Sequence, residues 1–304
     1  KRQTNCIDDC DKVLDLAIDC AGNTSVAVFE QGEAMRNYVN LSAEKTILDP
    51  GETLTIQNTA ENPYDIQIEW VNDNPEILEI LESDGYSCTI RALTPGAASI
   101  SGGFGPYTRS LNITVRDPER EQIARQYPDI ASHWAREEII TAIQEGLFRG
   151  TSANTFSPEA ALTRGQLVTT LYRLAGEPEV TGKTSFTDVA DHHYYAKAVA
   201  WAEAQGIVRG MTATTFAPEG KVTREQAATF LYRYVTEYLK VEPTQGADLS
   251  VYKDSDKISG FAKDAVAWAT AEGIFEGFED STMRPAGTLV RVQLAKVLTV
   301  LDQK

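Results

Sequence analysis

The amino-acid sequence predicts a multidomain α and β chain, in which a β-sandwich is followed by an all-α domain with three repeats. Residues 38–117 consist of short stretches in which apolar and polar residues alternate, whereas residues 118–304 carry one helical pattern three times. The chain has 304 residues, of which 42% are hydrophobic, and this is enough for two or three domains with buried cores.

Residues 1–37 are predicted to form a separate N-terminal segment. Apolar residues spaced three and four apart between positions 7 and 18 suggest a short amphipathic helix over residues 11–21. Cys6, Cys10 and Cys20 cluster there, and in an oxidising setting two of them would form a disulfide. Free thiols and a metal site are the alternatives, and the lack of a nearby histidine disfavours the metal site. No apolar stretch follows the first five residues, so no signal peptide is expected within the numbered chain.

Seven short strands are predicted between residues 38 and 117, at 39–41, 53–57, 66–70, 77–81, 87–92, 97–101 and 111–115. Turn-forming residues separate them, and this spacing is typical of an Ig-like β-sandwich. Trp70 and Cys88 are expected to face the core. Cys88 lies on the same face of its predicted strand as Ile90 and Ala92, so it is predicted to be a buried thiol rather than a disulfide partner.

The helical repeats are expected at about residues 125–176, 184–237 and 250–302. Each contains an apolar helix, a Gly-x-x-x-Gly turn, a proline and a short arginine motif that opens a second helix. Gly146, Gly206 and Gly273 stand where a helix needs a left-handed closing residue. The predicted N-terminal capping boxes are Thr163 with Gln166 and Thr223 with Gln226.

Arg164, Arg224 and Arg291 fall at the first position of the second helix in the three copies. A cation at this end of a helix opposes the helix dipole. The helix N-terminus already binds anions through its unpaired N–H groups, and a guanidinium adds a planar fork that fits a carboxylate or phosphate. The alternative is a surface arginine paired with an acidic neighbour, but recurrence at three equivalent positions favours an anion site.

Short motifs recur in the same order in each copy. They are Phe156-Ser157-Pro158 with Leu162-Thr163-Arg164, Phe216-Ala217-Pro218 with Val222-Thr223-Arg224, and Met283-Arg284-Pro285 with Arg291. In these motifs the repeats resemble the S-layer homology family. The resemblance implies a pseudo-threefold helical domain that attaches non-covalently to a secondary cell-wall polymer, often one bearing pyruvate ketals, in grooves between repeats. Residues 51–54, 69–70 with 74–77, and 92–100 resemble a bacterial Ig-like domain of group 2, which implies a spacer or adhesin module without chemistry.

The S-layer homology resemblance also implies a glycan site made of the motif arginine, an early aromatic, an early aspartate and a turn glycine. These residues are Arg164, Arg224, Arg291, Trp134, Tyr194, Phe261, Asp129, Asp188, Asp254, Gly150 and Gly210. The alternative for the aromatics is a place in the core, and Tyr195 could take the position of Tyr194 in the second copy. The alternative for the aspartates is to cap a helix or to pair with an arginine. Val290, Met283 and Glu276 depart from the pattern in the third copy, so its groove is the one least expected to bind.

The composition argues against several classes of function. The net charge of −16 disfavours nucleic acid and anionic membranes as partners, and no apolar run is long enough for membrane insertion. The three histidines, His133, His192 and His193, are interpreted as solvated residues near helix starts, with a pH-dependent contact to the polymer as the alternative. No nucleophile elbow, phosphate loop or zinc motif occurs, so neither an enzyme nor a cofactor is predicted.

The predicted function is non-covalent anchoring of a secreted bacterial surface protein to the cell wall. Its partner would be an anionic, pyruvylated secondary cell-wall polysaccharide linked to peptidoglycan. Local arginine pockets would decide such binding, because charges farther away than about 10 Å are largely screened at 0.1 M salt. The alternative is an adhesin or S-layer-like structural protein whose Ig-like domain makes the functional contacts, with further copies of itself or with a host surface.

Overall fold

The computed structural model describes residues 3–6, 12–18, 24–30, 39–60, 67–104 and 107–301. The chain divides into two compact units, Lys1–Pro118 and Glu119–Lys304. The first unit is rich in β-strands and the second is helical. The predicted all-α character of the second half is therefore confirmed.

The N-terminal segment contains a three-stranded antiparallel sheet of β1 (Gln3–Cys6), β2 (Lys12–Ile18) and β3 (Thr24–Glu30), in that order. The helix predicted over residues 11–21 is therefore wrong where the chain is described. Leu14, Leu16 and Ile18 recur with the period of two that is typical of a strand, and this alternation outweighs the helical spacing. Cys10 and Cys20 lie outside the described residues, and only the backbone of Cys6 is described.

Residues 41–115 form two four-stranded sheets, with strand orders β5-β11-β10-β7 and β4-β6-β9-β8. The strands are β4 (Leu41–Ser42), β5 (Ile47–Leu48), β6 (Thr53–Asn58), β7 (Glu69–Asn72), β8 (Leu78–Ser83), β9 (Ser87–Ala92), β10 (Gly96–Phe104) and β11 (Tyr107–Val115). Neighbouring strands pair antiparallel, except that β5 runs parallel to β11.

The prediction of a seven-stranded Ig-like β-sandwich is corrected by this arrangement, which has eight strands in two sheets. The strand that the prediction missed is β5, whose Ile47 and Leu48 pair with Thr114 and Val115 of β11. A strand of two residues shows no alternation, so only its position beside β11 identifies it. The strand predicted at residues 66–70 begins at Glu69, and Ile66 lies outside the described residues.

Cys88 lies in the apolar core that the two sheets share, and it is a free thiol as predicted. Ile90 and Ala92 of the same strand face the same core. Burial raises the pKa of the Cys88 thiol to about 11, because the thiolate would lose its hydration. Trp70 is half-buried against this core, and its indole N–H donates to the carbonyl oxygen of Asp84 at 2.7 Å.

Cys88 is expected to resist alkylation by iodoacetamide in the native chain at mildly alkaline pH, because the reacting thiolate is both scarce and buried. Peptide mass mapping after the reaction measures this. The same peptide should be alkylated fully in guanidinium chloride, which serves as the control. Rapid modification of native Cys88 would show that the core between the two sheets opens.

The second unit contains seven α-helices within the described residues. They are α1 (Pro118–Gln126), α2 (Arg136–Gln144), α3 (Arg164–Leu174), α4 (Ala196–Ala204), α5 (Arg224–Arg233), α6 (Lys263–Ala271) and α7 (Arg291–Leu301). The pairs α2 and α3, α4 and α5, and α6 and α7 are the two helices of the successive repeats. No helix in the described part of the chain is both long and apolar enough to cross a membrane.

The predicted helix ends are present. Gly146, Gly206 and Gly273 have φ angles of 73°, 74° and 69°, so each takes the left-handed conformation that follows a helix. Both capping boxes, at the N-termini of α3 and α5, are complete. In the third copy Val290 cannot accept through its side chain, but its N–H still donates to the amide oxygen of Gln293 at 3.0 Å.

The three repeats close into a ring through backbone hydrogen bonds between their arginine motifs. Leu162 N–H donates to Leu289 O at 2.8 Å, Leu289 N–H to Val222 O at 3.0 Å, and Val222 N–H to Leu162 O at 2.9 Å. Around this ring α3 packs on α4, α5 on α6, and α7 on α2. Each second helix is therefore held against the first helix of the next copy, and the third copy is held against the first.

Candidate functional site

The motif arginines begin α3, α5 and α7, and each reaches from its own copy into the next. Their Nε–H groups donate to the backbone carbonyl oxygen that lies two residues before the proline of the next copy. The pairs are Arg164 with Phe216 O (2.8 Å), Arg224 with Met283 O (2.9 Å) and Arg291 with Phe156 O (3.0 Å). The arginines are therefore part of the contacts that close the ring.

The side chains of Arg164, Arg224 and Arg291 are buried, with 4%, 8% and 3% of each residue exposed. Each guanidinium lies over two aromatic rings, with its central carbon 4.6–5.2 Å from the ring centres. Burial lowers the pKa of Arg164 and of Arg291 to about 10, which leaves both charged at neutral pH. These arginines are thus neither exposed at the surface nor paired with acidic side chains.

A groove with a volume of about 330 Å³, which we call the Arg291 groove, takes residues from all three copies. The first copy supplies Arg149 and Gly150 from its turn and Arg173 from α3. The second copy supplies Tyr194, and the third supplies Arg291. Among the described residues that line this groove, three carry guanidinium groups and none carries a carboxylate, so this lining has three positive charges.

Backbone carbonyl groups fix the inner cations of the Arg291 groove. Arg173 donates from Nη1 to Leu147 O at 3.1 Å, and Arg291 donates from Nη2 to Arg149 O at 2.7 Å. Burial, and next the charge of Arg149, lower the pKa of Arg173. The Arg149 side chain is exposed. The three positive charges thus lie together in the Arg291 groove, and Arg149 is the most exposed of the three side chains.

A second groove, of about 250 Å³, occupies the equivalent place one copy earlier; we call it the Trp134 groove. Its lining includes Trp134 of the first copy, Arg224 of the second, and Glu276, Phe278 and Gln293 of the third. By repeat position Trp134 corresponds to Tyr194, Arg224 to Arg291, and Glu276 to Arg149. The Trp134 groove therefore has one positive and one negative side chain where the Arg291 groove has three positive ones.

By repeat position, Arg164, Phe261, Arg209 and Arg233 form the third set of equivalent residues. Arg233 donates from Nη1 to Ile207 O at 3.5 Å, as Arg173 does to Leu147. Burial and the charge of Arg209 lower the pKa of Arg233. The arginine pair of the first copy thus recurs in the second copy, although sequence reasoning had assigned neither pair to the site.

The early aromatics Trp134, Tyr194 and Phe261 are exposed by 66%, 60% and 59%, so they are not core residues. The residue that follows each of them is buried, and in the second copy this buried residue is Tyr195. Trp134 and Tyr194 line the two grooves. The structure thus assigns Tyr194 to the groove and Tyr195 to the core.

The early aspartates Asp129, Asp188 and Asp254 hold the turn that precedes each proline position. Each carboxylate accepts two successive backbone N–H groups of that turn, at distances between 2.7 and 3.1 Å. The second donor in each turn has a positive φ angle of 50–58°. The carbonyl groups that this turn presents accept from the motif arginines, so the aspartates position the ring contacts and line neither of the two grooves.

Gly150 and Gly210 are required by close packing of the turn. A Cβ atom at Gly150 would lie 2.5 Å from a ring carbon of Tyr127, and one at Gly210 would lie 2.5 Å from a ring carbon of Phe186. Gly150 also lines the Arg291 groove. These glycines therefore shape the turn that carries Arg149 and Arg209.

Residues 126–168, 185–228 and 251–295 each match the S-layer homology domain family. An endoglucanase of Bacillus sp. (strain KSM-635) is 36% identical over 168 residues, which are 55% of this chain and 18% of the relative. The surface-layer 125 kDa protein of Lysinibacillus sphaericus is 28% identical over 171 residues, 55% of this chain and 14% of the relative. The cellulosome-anchoring protein of Acetivibrio thermocellus is 29% identical over 150 residues, 48% of this chain and 33% of the relative.

The chain thus spans a third or less of the length of these relatives. The shared region occurs both in an enzyme and in surface and anchoring proteins, so it does not by itself define a catalytic activity. Several of the relatives are named as surface-layer or cell-surface proteins. Residues 126–295 therefore carry three S-layer homology domains, and the chain is a wall-associated cell-surface protein.

Proposed function

We propose that the helical unit anchors this protein non-covalently to the cell wall by binding an anionic secondary cell-wall polysaccharide, and that the Arg291 groove is its principal site. The observation that carries the proposal is the lining of that groove, whose described residues include three arginines and no carboxylate. The Tyr194 ring supplies an apolar wall against which a sugar ring packs.

The proposal assigns different roles to the arginines. Two donor positions of Arg291, Nε and Nη2, are used by backbone carbonyl groups, so Arg291 contributes a fixed charge at the floor of the groove. Arg149 is exposed at the opening and Arg173 lies deeper. Together they would hold the carboxylate of the polymer, such as that of a pyruvate ketal. Arg164 and the aspartates support this arrangement through their contacts in the ring rather than in the Arg291 groove.

The net charge of −16 is compatible with an anionic partner, because the field at a groove comes mainly from its nearest charges. Acidic side chains farther away than about 10 Å are largely screened at 0.1 M salt. The attraction should then weaken as salt is added. Binding to wall sacculi is therefore expected to fall with increasing salt concentration.

Replacing Arg149 with glutamate is expected to reduce binding to purified wall sacculi by roughly tenfold or more, because a carboxylate then faces the anionic polymer. The Arg149 side chain is exposed, and its backbone carbonyl still accepts from Arg291, so the fold should persist. Co-sedimentation of the full chain with sacculi, with and without their secondary polymer, measures the effect.

Arg125→Glu is the matched control for this charge reversal. The Arg125 side chain is 78% exposed in α1, away from both grooves, and its reversal should leave co-sedimentation unchanged. Equal loss in both variants would indicate a general effect of net charge. Full retention of binding by Arg149→Glu would contradict the assignment of the Arg291 groove.

A further inference from the structure

We propose that the Trp134 groove binds an uncharged sugar ring, so that the helical unit has a second saccharide site whose ligand differs in charge from that of the Arg291 groove. The inference rests on the proposed function, because it assumes that the helical unit binds a polysaccharide. The difference in lining between two grooves at equivalent repeat positions carries it.

The arginines that would hold a carboxylate are missing from the Trp134 groove. The position of Arg149 is taken by Glu276, and the position of Arg173 is taken by Val300. Glu276 is exposed and lines the groove. An anionic ligand would meet this like charge, whereas the hydroxyl groups of a neutral sugar can donate to the carboxylate.

Arg224 is poorly placed to replace the missing cations. Its Nε–H donates to Met283 O at 2.9 Å, and its Nη2 donates to Glu276 O at 2.8 Å. A bidentate clamp on a carboxylate needs two neighbouring N–H groups on one edge of the guanidinium, and the Nε–Nη2 edge of Arg224 is already used by these carbonyl groups. The rings of Phe275 and Phe278 flank the same guanidinium, at 4.9 and 5.0 Å.

Arg284 is a further cation that contacts Phe278 of this groove, and its charge is compensated. It stacks on Phe278 at 3.9 Å from the ring centre, and its Nη2 donates to the Asp280 carboxylate at 2.9 Å. The exposed indole of Trp134 has a larger aromatic surface than the Tyr194 ring at the equivalent position of the Arg291 groove. An aromatic face, a carboxylate and few unbalanced charges suit the C–H face and the hydroxyl groups of a neutral pyranose.

Two glycosides that differ only at C6 test the inference: methyl β-D-glucopyranoside, which has a hydroxymethyl group there, and methyl β-D-glucuronide, which has a carboxylate. The readout is the indole N–H signal of Trp134 in the ¹⁵N-labelled full chain, assigned by its loss in Trp134→Phe. The glucopyranoside is expected to shift this signal by the same amount at low and at high salt. The glucuronide should shift it at least tenfold less at equal concentration.

The variant Glu276→Arg, which restores the residue type of the other two copies, should reverse this preference at the Trp134 signal. An equal response of Trp134 to both glycosides, or no response to either, overturns the inference. Wall binding that still depends on Arg149 would then leave the proposed function standing. Wall binding that is independent of Arg149 would instead refute the proposed function, whatever the Trp134 signal shows.

Discussion

Replacing Arg291 with alanine is expected to lower the free energy of unfolding of the helical unit by about 2–4 kcal/mol and its melting temperature by roughly 5–15 °C. The reason is the position of its guanidinium between copies. Alanine would remove the hydrogen bonds to Phe156 O and Arg149 O, and it would leave a cavity beside the rings of Phe148 and Phe156.

Thermal denaturation of the full chain, followed by its helical circular dichroism, measures this loss. Arg149→Ala is the matched control, because its exposed side chain is removed while its backbone carbonyl remains to accept from Arg291. The control is expected to change stability by no more than about 0.5 kcal/mol. Equal melting temperatures for Arg291→Ala and the parent chain would show that the arginine does not hold the ring closed.

This comparison also separates stability from binding. A loss of wall binding in Arg164, Arg224 or Arg291 variants would follow from an opened ring even if these side chains never touched the polymer. Arg149 lies in the same groove without carrying a ring contact through its side chain. Variants of Arg149 therefore test polymer binding, and variants of Arg291 test the stability of the ring.

Features that depend on neighbours in sequence could be predicted from the sequence. The capping boxes need only Thr163 with Gln166 and Thr223 with Gln226, three residues apart. The closing glycines follow from the same local reasoning. The motif arginines were also identified, because they recur at fixed offsets and stand at helix starts where a cation is electrostatically disfavoured.

Contacts between copies could not be predicted in the same way. Arg291 donates to Arg149 O across 142 residues of sequence, so the third arginine completes a groove of the first copy. For the same reason Glu276, a departure of the third copy, changes the groove of Arg224 rather than that of Arg291. Reading each repeat as a self-contained unit therefore assigns the altered residue to the wrong arginine.

The β-rich unit shows the corresponding limit for strands. Residues 12–18 satisfy both a helical spacing and a period of two, and pairing with β1 and β3 decides between them. The strand β5 has two residues, too few for any period, and is defined by its partner β11. In both places a non-local backbone pairing determines the structure, and the local sequence alone does not decide it.

Replacing Gly210 with alanine is expected to destabilise the helical unit by about 3–5 kcal/mol, because two separate costs combine. Gly210 has a φ angle of 75°, which strains any residue with a Cβ atom. Its new Cβ atom would also lie 2.5 Å from Thr212 O and 2.8 Å from Thr215 O, both in the backbone of the same turn. The turn cannot relieve these contacts without losing the hydrogen bond from Met211 N–H to Thr215 O.

Gly206→Ala isolates the first of these costs. Gly206 has nearly the same φ angle, 74°, but a Cβ atom there would meet no atom within 4 Å. Its replacement should therefore cost about 1–2 kcal/mol, from backbone strain alone. Denaturant unfolding of both variants gives the difference, which measures the crowding within the turn. Equal losses would mean that the turn shifts to accept a side chain, and that its glycine is needed only for its φ angle.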